Sequence, residues 1–340
     1  MAPCLLFAAV LAVASAAALV AQSPPGPPAP DITRIAGNLF RGNAAGLHNI
    51  FLVTPDGIIL ADPINTPFAT WLKAELAQRF RVPVRYVIYS HDHYDHIEGG
   101  RVFADTAQFV AHENVARAMD GRLPQFPGGI WDGNRNGRIE IEEASDAVRF
   151  QGYFTRLDRN GDGGITPAEY FDEVHPPGIV YSRRMTLTLG GATVELIHPG
   201  VNHSDDATVM LFPAERVAYA VDFVADGAVS GSMKSLPGAW GDFDWNPMAS
   251  WIDSMKAVEA LDFDVFAAGE GDLATRAEVT AMRRFFEDLR AAVSAGMSQG
   301  KGLAELQRTI ALEKYRDWLG YDQRRAKNIE AAYNNLRLYR

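Results

Sequence analysis

The chain has 340 residues, of which 47% are hydrophobic, and a formal net charge of −10. This length and composition allow a large buried core and more than one domain. The 42 acidic side chains outnumber the 32 basic ones, which argues against a nucleic-acid groove, since that needs a basic surface. We therefore expect a globular protein that binds no nucleic acid.

The first 21 residues, MAPCLLFAAVLAVASAAALVA, carry no charged side chain and are rich in Ala, Leu and Val. Such a segment is typical of a secretory signal peptide, here with small residues for cleavage near Ala18 or Ala21. An uncleaved membrane anchor is the alternative. Residues 22–30 form a Pro-rich spacer, and the single cysteine, Cys4, lies inside the signal. The sequence therefore predicts a periplasmic or secreted protein with no membrane span after cleavage and no thiolate metal ligand.

Residues 31–120 alternate apolar runs with turn residues. Strands are predicted in ITRIAGNLFRG, HNIFLVT and IILADP, with a hairpin turn at Pro55-Asp56-Gly57. The spacing of apolar residues predicts a helix over 66–80. Two more strands, at 84–90 and 107–112, and a short helix follow.

Residues 121–180 are rich in Gly, Pro, Asp and Asn, which predicts an insertion. Strand patterns resume at 185–200, 208–213 and 216–223, within a second part that spans 181–272. Residues 273–340 form a predicted helical C-terminal region. Strands followed by helices, twice in succession, suggest two sheets that pack together with helices outside.

The stretch SHDHYDHIEGG, residues 90–100, directly follows a predicted buried strand. It places three of the chain's eight histidines and two aspartates within six residues. Imidazole and carboxylate are ligands that first-row metal ions prefer. Because residues i and i+2 of an extended loop project to the same side, His91 and His93 can bind one ion together. Asp95 and His96 can turn towards a neighbouring ion, so we predict a metal site rather than a solvated polar loop.

This His-x-His-x-Asp-His spacing resembles the metallo-β-lactamase superfamily, over roughly residues 31–112 and 181–300. The resemblance implies an α+β fold, a four-layer αβ/βα sandwich, here with an insertion and a helical C-terminal extension. It also implies a third histidine for the first metal, in PGVNHSDD, and a bridging aspartate, in VAYAVDF. The two implied sites are His91, His93 and His203, and Asp95, His96 and Asp222.

The last ligand of the family is a histidine after the final strand, where this chain has Glu270 in FAAGEGD. A carboxylate can bind zinc, but it adds negative charge and hardness, which shifts the preference towards iron or manganese. Three outcomes stay open: two zinc ions, zinc with iron or manganese at the second site, or one zinc ion that Glu270 does not approach.

Four other side chains near these motifs receive predictions. Asp62, in LADP after a strand, is predicted to lie behind the ligands and to orient a ligand histidine. His198, on a strand that ends near the site, is predicted to lie beside the ligands, with direct ligation as the alternative. His112 lies among apolar residues and is expected to be packed and hydrogen-bonded. His175, in EVHPPG, is expected to be exposed.

Two segments of the insertion repeat one pattern, DGNRNGRIEIEE (132–143) and DRNGDGGITPAE (158–169). Both satisfy Asp-x-Asn-x-Asx-Gly-x5-Glu, which is typical of the calcium loop of an EF-hand. Positions 1, 3, 5 and 12 of such a loop supply side-chain oxygens, position 7 supplies a carbonyl, and Gly at position 6 permits the turn. The predicted calcium ligands are Asp132, Asn134, Asn136, Arg138 and Glu143, and Asp158, Asn160, Asp162, Gly164 and Glu169.

The short linker between these loops and the poor entering helix before Asp132 resemble dockerin-like modules. We predict a structural role for calcium, with weaker binding in the first loop because it has fewer carboxylates. Turns that bind no calcium are the alternative. A calcium-dependent protein partner is compatible with both a catalytic and a non-catalytic chain.

Together these motifs predict a hydrolase in which metal-activated hydroxide attacks a small ester, lactone, lactam or related substrate. Asp95 and Asp222 are the predicted catalytic carboxylates, because the bridging aspartate can orient the hydroxide and receive its proton. The alternative is a non-catalytic zinc- and calcium-binding protein, in which Glu270 marks the loss of the second metal site.

Overall fold

The computed structural model describes residues 29–123, 131–143, 152, 154–224, 234–238 and 246–339. Within these ranges the chain forms two β-sheets with helices against the outer face of each. The predicted signal peptide, 1–21, and most of the spacer lie outside the described residues. Among the helices in these ranges, none combines the length and the apolar character that crossing a membrane requires.

The first sheet has seven strands that lie side by side in chain order. They are β1 (Asp31–Ala36), β2 (Leu39–Ala44), β3 (Leu47–Thr54), β4 (Gly57–Ala61), β5 (Val84–Ile88), β6 (Gln108–His112) and β7 (Ile179–Tyr181). Neighbours from β1 to β4 are antiparallel, whereas neighbours from β4 to β7 are parallel. Parallel neighbours need long crossover connections, and these connections carry the metal motif and the insertion.

Helix α1, Thr66–Phe80, forms the first crossover and has the bounds that the apolar spacing predicts. Its N-terminus is capped by Asn65, whose Oδ1 accepts a hydrogen bond from the backbone N–H of Phe68 at 2.9 Å. Its buried face includes Leu72 and Leu76, and it ends where Arg81 adopts a left-handed backbone conformation. The helix therefore covers the outer face of the first sheet.

The second sheet has five strands in the order β12-β11-β10-β9-β8. They are β8 (Arg184–Leu189), β9 (Ala192–Ile197), β10 (Val209–Phe212), β11 (Val217–Ala220) and β12 (Val265–Ala268). All neighbours are antiparallel except β11 and β12, which are parallel. The connection between these two strands is therefore a crossover that carries a helix on the outer face.

Seven further helices have both their ends within the described residues. They are α2 (Tyr94–Ile97), α3 (Glu113–Ala118), α4 (Pro167–Tyr170), α5 (Met248–Glu259), α6 (Arg276–Ser298), α7 (Leu303–Thr309) and α8 (Tyr321–Leu338). Short 3₁₀ segments lie at Glu98–Phe103, Ile141–Glu143 and Glu313–Tyr315. The helical character predicted for the C-terminal region is thus present over most of 276–338.

Three apolar clusters hold these layers together. One lies between the sheets and includes Leu52 and Tyr219. A second lies between the first sheet and α1 and takes in Ile165 of the insertion. A third lies behind the second sheet and includes Phe285 of α6 and Ile329 of α8. The order helix, sheet, sheet, helix fits the predicted α+β sandwich.

Phe285 connects the C-terminal helices to this sandwich, because its ring centroid lies 5.0 Å from that of Tyr315 and 5.7 Å from that of Trp318. We predict that Phe285→Ala lowers the free energy of unfolding by about 3–5 kcal/mol, the usual loss for a buried phenylalanine. Urea unfolding followed by circular dichroism and tryptophan fluorescence should give one transition with both signals. Arg290→Ala, on the exposed face of the same helix, is the control. A Phe285→Ala loss no larger than that of the control would show that these helices are not part of the cooperative unit.

Candidate metal centre

Segments that follow four β-strands converge at one edge of the sandwich. The metal motif follows β5, His203 lies in the loop between β9 and β10, and Asp222 and Glu270 follow β11 and β12. Because β11 and β12 are parallel, their carboxyl ends lie at the same edge. The approach is close: a Cβ atom on Gly269 would lie 2.6 Å from Cγ2 of Val221. A residue with a side chain at 269 would therefore push Glu270 away from Asp222.

The first group of side chains consists of His91, His93, His203 and Asp222. Each offers one ligand atom, and these atoms all lie within 4.8 Å of one another. Nδ1 of His93 lies 2.9 Å from Nε2 of His203, and Oδ2 of Asp222 lies 3.3 Å from Nε2 of His91. Three imidazoles and one carboxylate are a suitable donor set for a four-coordinate zinc ion.

The second group consists of Asp95, His96 and Glu270, whose ligand atoms also lie within 4.8 Å of one another. Glu270 is buried, and it reaches this group although it replaces the histidine of the family. Oδ2 of Asp222 lies 3.4 Å from Nε2 of His96. Asp222 thus faces both groups, which is the position that the resemblance implies for a bridging aspartate.

The local fold of the motif points alternate side chains at the site. His93 is extended and precedes the first turn of α2, so Asp95 and His96 follow it within that turn. Oγ of Ser90 lies 2.9 Å from Nδ1 of His91, which leaves Nε2 of that ring facing Asp222. Tyr94 is buried on another side and packs against the insertion.

Several buried polar atoms of the site make no well-formed hydrogen bond with any described residue. They are Nε2 of His91, both ring nitrogens of His96 and Oδ1 of Asp222. Such atoms are costly to bury without a partner. Both Nε2 atoms face Oδ2 of Asp222, so cations bound beside this carboxylate would satisfy the lone pairs of these two nitrogens. The donor set and its burial therefore fit a metal centre.

The packing of imidazoles and carboxylates shifts their pKa values in different directions. Burial, together with the neighbouring His93, holds the pKa of His91 well below its usual value. Burial also lowers the pKa of His96, but the carboxylates of Asp95 and Asp222 outweigh it and raise that pKa well above its usual value. For Asp222, burial raises the pKa, and the imidazoles, chiefly His96, overcome this and hold it well below its usual value. Without an ion, Asp222 is thus ionised and His91 neutral, the forms that bind cations, whereas His96 must release a proton when it binds one.

Asp62 lies behind the second group, fully buried. Its Oδ1 accepts a hydrogen bond from the backbone N–H of Ser90 at 2.8 Å, and its Oδ2 accepts one from the Tyr219 hydroxyl at 3.1 Å. Oδ2 also lies 3.8 Å from Nδ1 of His96. Burial raises the pKa of Asp62 to about 6. Asp62 thus lies beside His96, but its carboxylate is beyond hydrogen-bond distance from that ring.

The other histidines lie apart from both ligand groups. Nδ1 of His198 is 2.9 Å from the carbonyl oxygen of Ala207, and its ring stacks on His112 at 4.1 Å. His112 is packed and hydrogen-bonded, as predicted. The prediction that His175 is exposed is wrong, since it is only partly exposed and its ring stacks on Phe109 at 4.2 Å. The insertion folds back onto the first sheet at this point.

Both predicted calcium loops close on their first aspartate. Asp132 accepts hydrogen bonds from the backbone N–H groups of positions 5 and 6 of its loop, each at 3.0 Å. Asp158 accepts the equivalent bonds at 3.1 and 3.0 Å. Ile139 and Ile165, at position 8 of each loop, pair in a short antiparallel bridge. The two loops therefore form one unit.

The acidic residues at position 12 are both hydrogen-bonded. Oε1 of Glu143 accepts a hydrogen bond from the backbone N–H of Asn134 at 2.9 Å, and Glu169 takes part in a capping box with Thr166. One contact was not predicted: the guanidinium of Arg138 pairs with the carboxylate of Asp162. This ion pair occupies one predicted calcium ligand of the second loop.

Sequence reasoning missed Asp206, a buried carboxylate in the loop that carries His203. The hydroxyl of Ser204 donates to its Oδ1 at 2.5 Å. Burial and the carboxylate of Asp92 raise the pKa of Asp206 well above its usual value. Its place three residues after His203, within the quoted PGVNHSDD, is the signal that could have found it.

Residues 43–269 match the family model described as "Metallo-beta-lactamase superfamily". Two similar solved structures share this fold. A metallo-beta-lactamase from Pontibacter korlensis is 14% identical, with a TM-score of 0.50 over 76% of this chain and 99% of that one. A metallo-beta-lactamase from Hirschia baltica is 12% identical, with a TM-score of 0.51 over 76% of this chain and 97% of that one. At such identities the likeness shows the fold alone.

A relative in sequence is the 2,4-dinitroanisole O-demethylase subunit alpha of Nocardioides sp. (strain JS1661), which is 28% identical over 221 residues. The match covers 63% of this chain and 49% of the relative, so the chain spans about half the length of that protein. The family model covers more than half of this chain, and its match includes His91, His93, Asp95, His96, His203 and Asp222. The chain therefore belongs to the metallo-beta-lactamase superfamily.

Proposed function

We propose that the chain is a metal-dependent hydrolase that cleaves a small ester, lactone, lactam or related substrate. The observation that carries the proposal is the position of Asp222, whose Oδ2 lies 3.3 Å from Nε2 of His91 and 3.4 Å from Nε2 of His96. One carboxylate thus faces two separate groups of ligand atoms. That arrangement supports a two-metal centre of the kind that hydrolases use.

The two groups suit different metal ions. The group with His91, His93 and His203 is rich in nitrogen and suits zinc. The second group offers Asp95, His96 and Glu270, with Asp222 beside it, and so has more oxygen ligands. This harder donor set suits zinc, iron or manganese. We propose a filled second site, because Glu270 lies within ligand distance of its neighbours rather than turned away.

Bound divalent ions would lower the pKa of a water molecule to about 7 and polarise the substrate. The chain's own residues would do the rest. Asp222 is ionised in the buried centre and can accept a hydrogen bond from the attacking water, which orients it. The Asp95 side chain is 22% exposed, against 12% for that of Asp222, so it lies nearer to incoming substrate. Either carboxylate can receive the proton that the water loses.

The residues of the site say less about the substrate than about the type of reaction. The Nocardioides relative is named for 2,4-dinitroanisole, an activated aryl methyl ether, although this chain matches only about half of it. Such an ether and an ester share an electrophilic carbon that hydroxide can attack, with departure of the oxygen bonded to it. A substrate screen should therefore contain an aryl ester, a lactone, a chromogenic lactam and 2,4-dinitroanisole. Hydrolysis of none of them would support the alternative of a non-catalytic metal-binding protein.

Glu270 provides the first test. We predict that the wild type holds about two transition-metal ions, that Glu270→Ala loses one of them, and that Glu270→His keeps both and prefers zinc. Elemental analysis of the purified protein gives the stoichiometry, and p-nitrophenyl acetate hydrolysis gives the activity. We expect Glu270→Ala to lose activity by at least about tenfold. The control is Asp272→Ala, an exposed acidic residue two positions further on. One ion in the wild type and in every variant would contradict the two-metal centre.

A second test addresses Asp62, which we propose orients His96. We predict that Asp62→Ala weakens metal binding at the second site by about 10–100-fold, since residues that hold a ligand usually matter by that much. Competition with a chelator measures the affinity. Tyr219→Phe is the matched control, because it removes the hydroxyl donor to Asp62 but leaves the carboxylate near His96. Equal affinities in Asp62→Ala and the wild type would show that Asp62 only fills space.

We also propose that the insertion binds structural calcium. The geometry supports this as well as the sequence pattern, because both loops fold around their first aspartate and pair through Ile139 and Ile165. Loops with few carboxylates bind at about 10⁻⁴–10⁻³ M, which suits an extracellular calcium level. This agrees with the proposal that the protein is exported. Calcium at Asp162 would compete with Arg138 for that carboxylate.

Calcium titration tests this proposal. We predict that calcium at 100 times its Kd raises the free energy of unfolding by about 2.7 kcal/mol for one site. Asp158→Ala and Asp132→Ala should each remove one site in isothermal titration calorimetry. Asp120→Ala, an exposed aspartate outside both loops, is the control and should keep both sites. No heat of binding and no stabilisation of the wild type at calcium concentrations 100 times this Kd would mean that the loops are turns alone.

A further inference from the structure

The C-terminal helix α8 lies outside residues 43–269, which match the family model, yet it holds backbone beside the metal centre. The contact is made by the buried side chain of Asn335. Its Nδ2 donates to the carbonyl oxygen of Asn246 at 2.8 Å, and its Oδ1 accepts from the backbone N–H of Met248 at 3.0 Å. The side-chain amide of Asn335 is therefore hydrogen-bonded to the backbone on both sides of Pro247.

The side chain of Asn335 takes the place of a missing helix cap. Helix α5 begins at Met248, and its N-cap residue is Pro247, which has no side chain that can accept a hydrogen bond. The first N–H groups of a helix need an external acceptor. Asn335 supplies that acceptor from 87 residues away. Because the same amide also donates, a side chain that only accepts cannot replace it.

The next hydrogen bond reaches the loop that carries His203. Nδ2 of Asn246 donates to the carbonyl oxygen of Asn202 at 2.8 Å. Asn202 is fully buried, and its own Nδ2 contacts the Gly200 carbonyl at 3.0 Å and Oγ of Ser254 at 3.3 Å. Ser254 belongs to α5, so the helix that Asn335 caps also contacts the loop of His203 at a second point.

Helix α5 also contacts the ligand ring itself. Trp251 lies one turn into α5, and its ring centroid is 6.1 Å from that of His203, with the two planes nearly perpendicular. The other face of Trp251 stacks on Phe286 at 5.6 Å. A shift at the start of α5 would therefore move Trp251, which packs against the His203 ring, and also the backbone of Asn202, which precedes His203.

We propose that Asn335 is a positioning residue for His203, acting through Asn246 and Asn202. The inference rests on the proposed metal centre, since its consequence is the geometry of the three-histidine group. His203 comes from a different loop than His91 and His93, and its Nε2 lies 2.9 Å from Nδ1 of His93 across the edge of the sandwich. The chain of asparagines fixes the backbone on one side of His203, so the ring needs no rearrangement when it binds an ion.

Helix α8 contains a matched control. Asn328 is also fully buried, and its Nδ2 donates to the carbonyl oxygen of Pro237 at 3.0 Å. It lies seven residues before Asn335 on the same helix, but its hydrogen bond goes to the 234–238 segment rather than to Asn246. A purely structural role of buried asparagines predicts equal effects at both positions, whereas a positioning role predicts an effect on the metal only for Asn335.

The experiment compares Asn335→Asp, Asn246→Ala and Asn328→Asp in the full chain. Each protein is loaded with Co²⁺, its visible spectrum is recorded, and its affinity for the first ion is measured by competition with a chelator. We expect an affinity about tenfold lower and an altered ligand-field spectrum in Asn335→Asp and Asn246→Ala, as for other residues that hold a ligand. Asn328→Asp should lower the unfolding midpoint without changing either metal readout.

The outcomes separate the two proposals. If the wild type binds no Co²⁺ through its histidines, the proposed metal centre fails. If the wild type binds Co²⁺ and both Asn335→Asp and Asn246→Ala match it in affinity and spectrum, the metal centre stands and the positioning role is overturned. If Asn335→Asp does not fold, Asn246→Ala decides alone, because its side chain is partly exposed and leaves α8 unchanged.

Discussion

The structure of the site depends on one carboxylate among imidazoles. Oδ2 of Asp222 lies 3.3–3.5 Å from the Nε2 atoms of His91, His96 and His203, which come from two separate loops. Asp222 adopts a left-handed backbone conformation, with φ of 64°, that residues other than glycine rarely adopt. Asp62, the buried partner on the other side, does the same, with φ of 52°. Backbone strain at both strand ends is what functional sites commonly retain.

Much of this site could be predicted because its strongest signal is local. The order of residues from His91 to His96 fixes two ligand pairs by spacing alone, and α1 follows from its apolar period. The prediction of the metallo-β-lactamase superfamily is confirmed by the family match over residues 43–269. His203 and Asp222, by contrast, needed the family resemblance, because nothing in their own neighbourhoods says that distant strands end at the same edge.

What sequence reasoning missed is long-range and polar. An asparagine on a helix has no periodic signature that names its partner, so the hydrogen bonds of Asn335 to residues 87 and 89 positions away depend on tertiary packing. The same holds for Arg138, which meets Asp162 only because the two loops pair. His175 looked exposed because its neighbours are prolines and glycine, yet the ring packs on Phe109 where the insertion returns to the sheet.

The insertion is part of the support of the metal motif rather than an appendage. Tyr94, between two ligand residues, packs on Tyr170 of the second loop with ring centroids 5.0 Å apart. Arg156, just before that loop, pairs with Glu98, whose pKa burial raises to about 8. Because the side chain of Glu98 is fully buried, loss of Arg156 from its place would leave this buried carboxyl group without that hydrogen-bond partner. Folding of the insertion and of the helix that carries Asp95 and His96 are therefore energetically coupled.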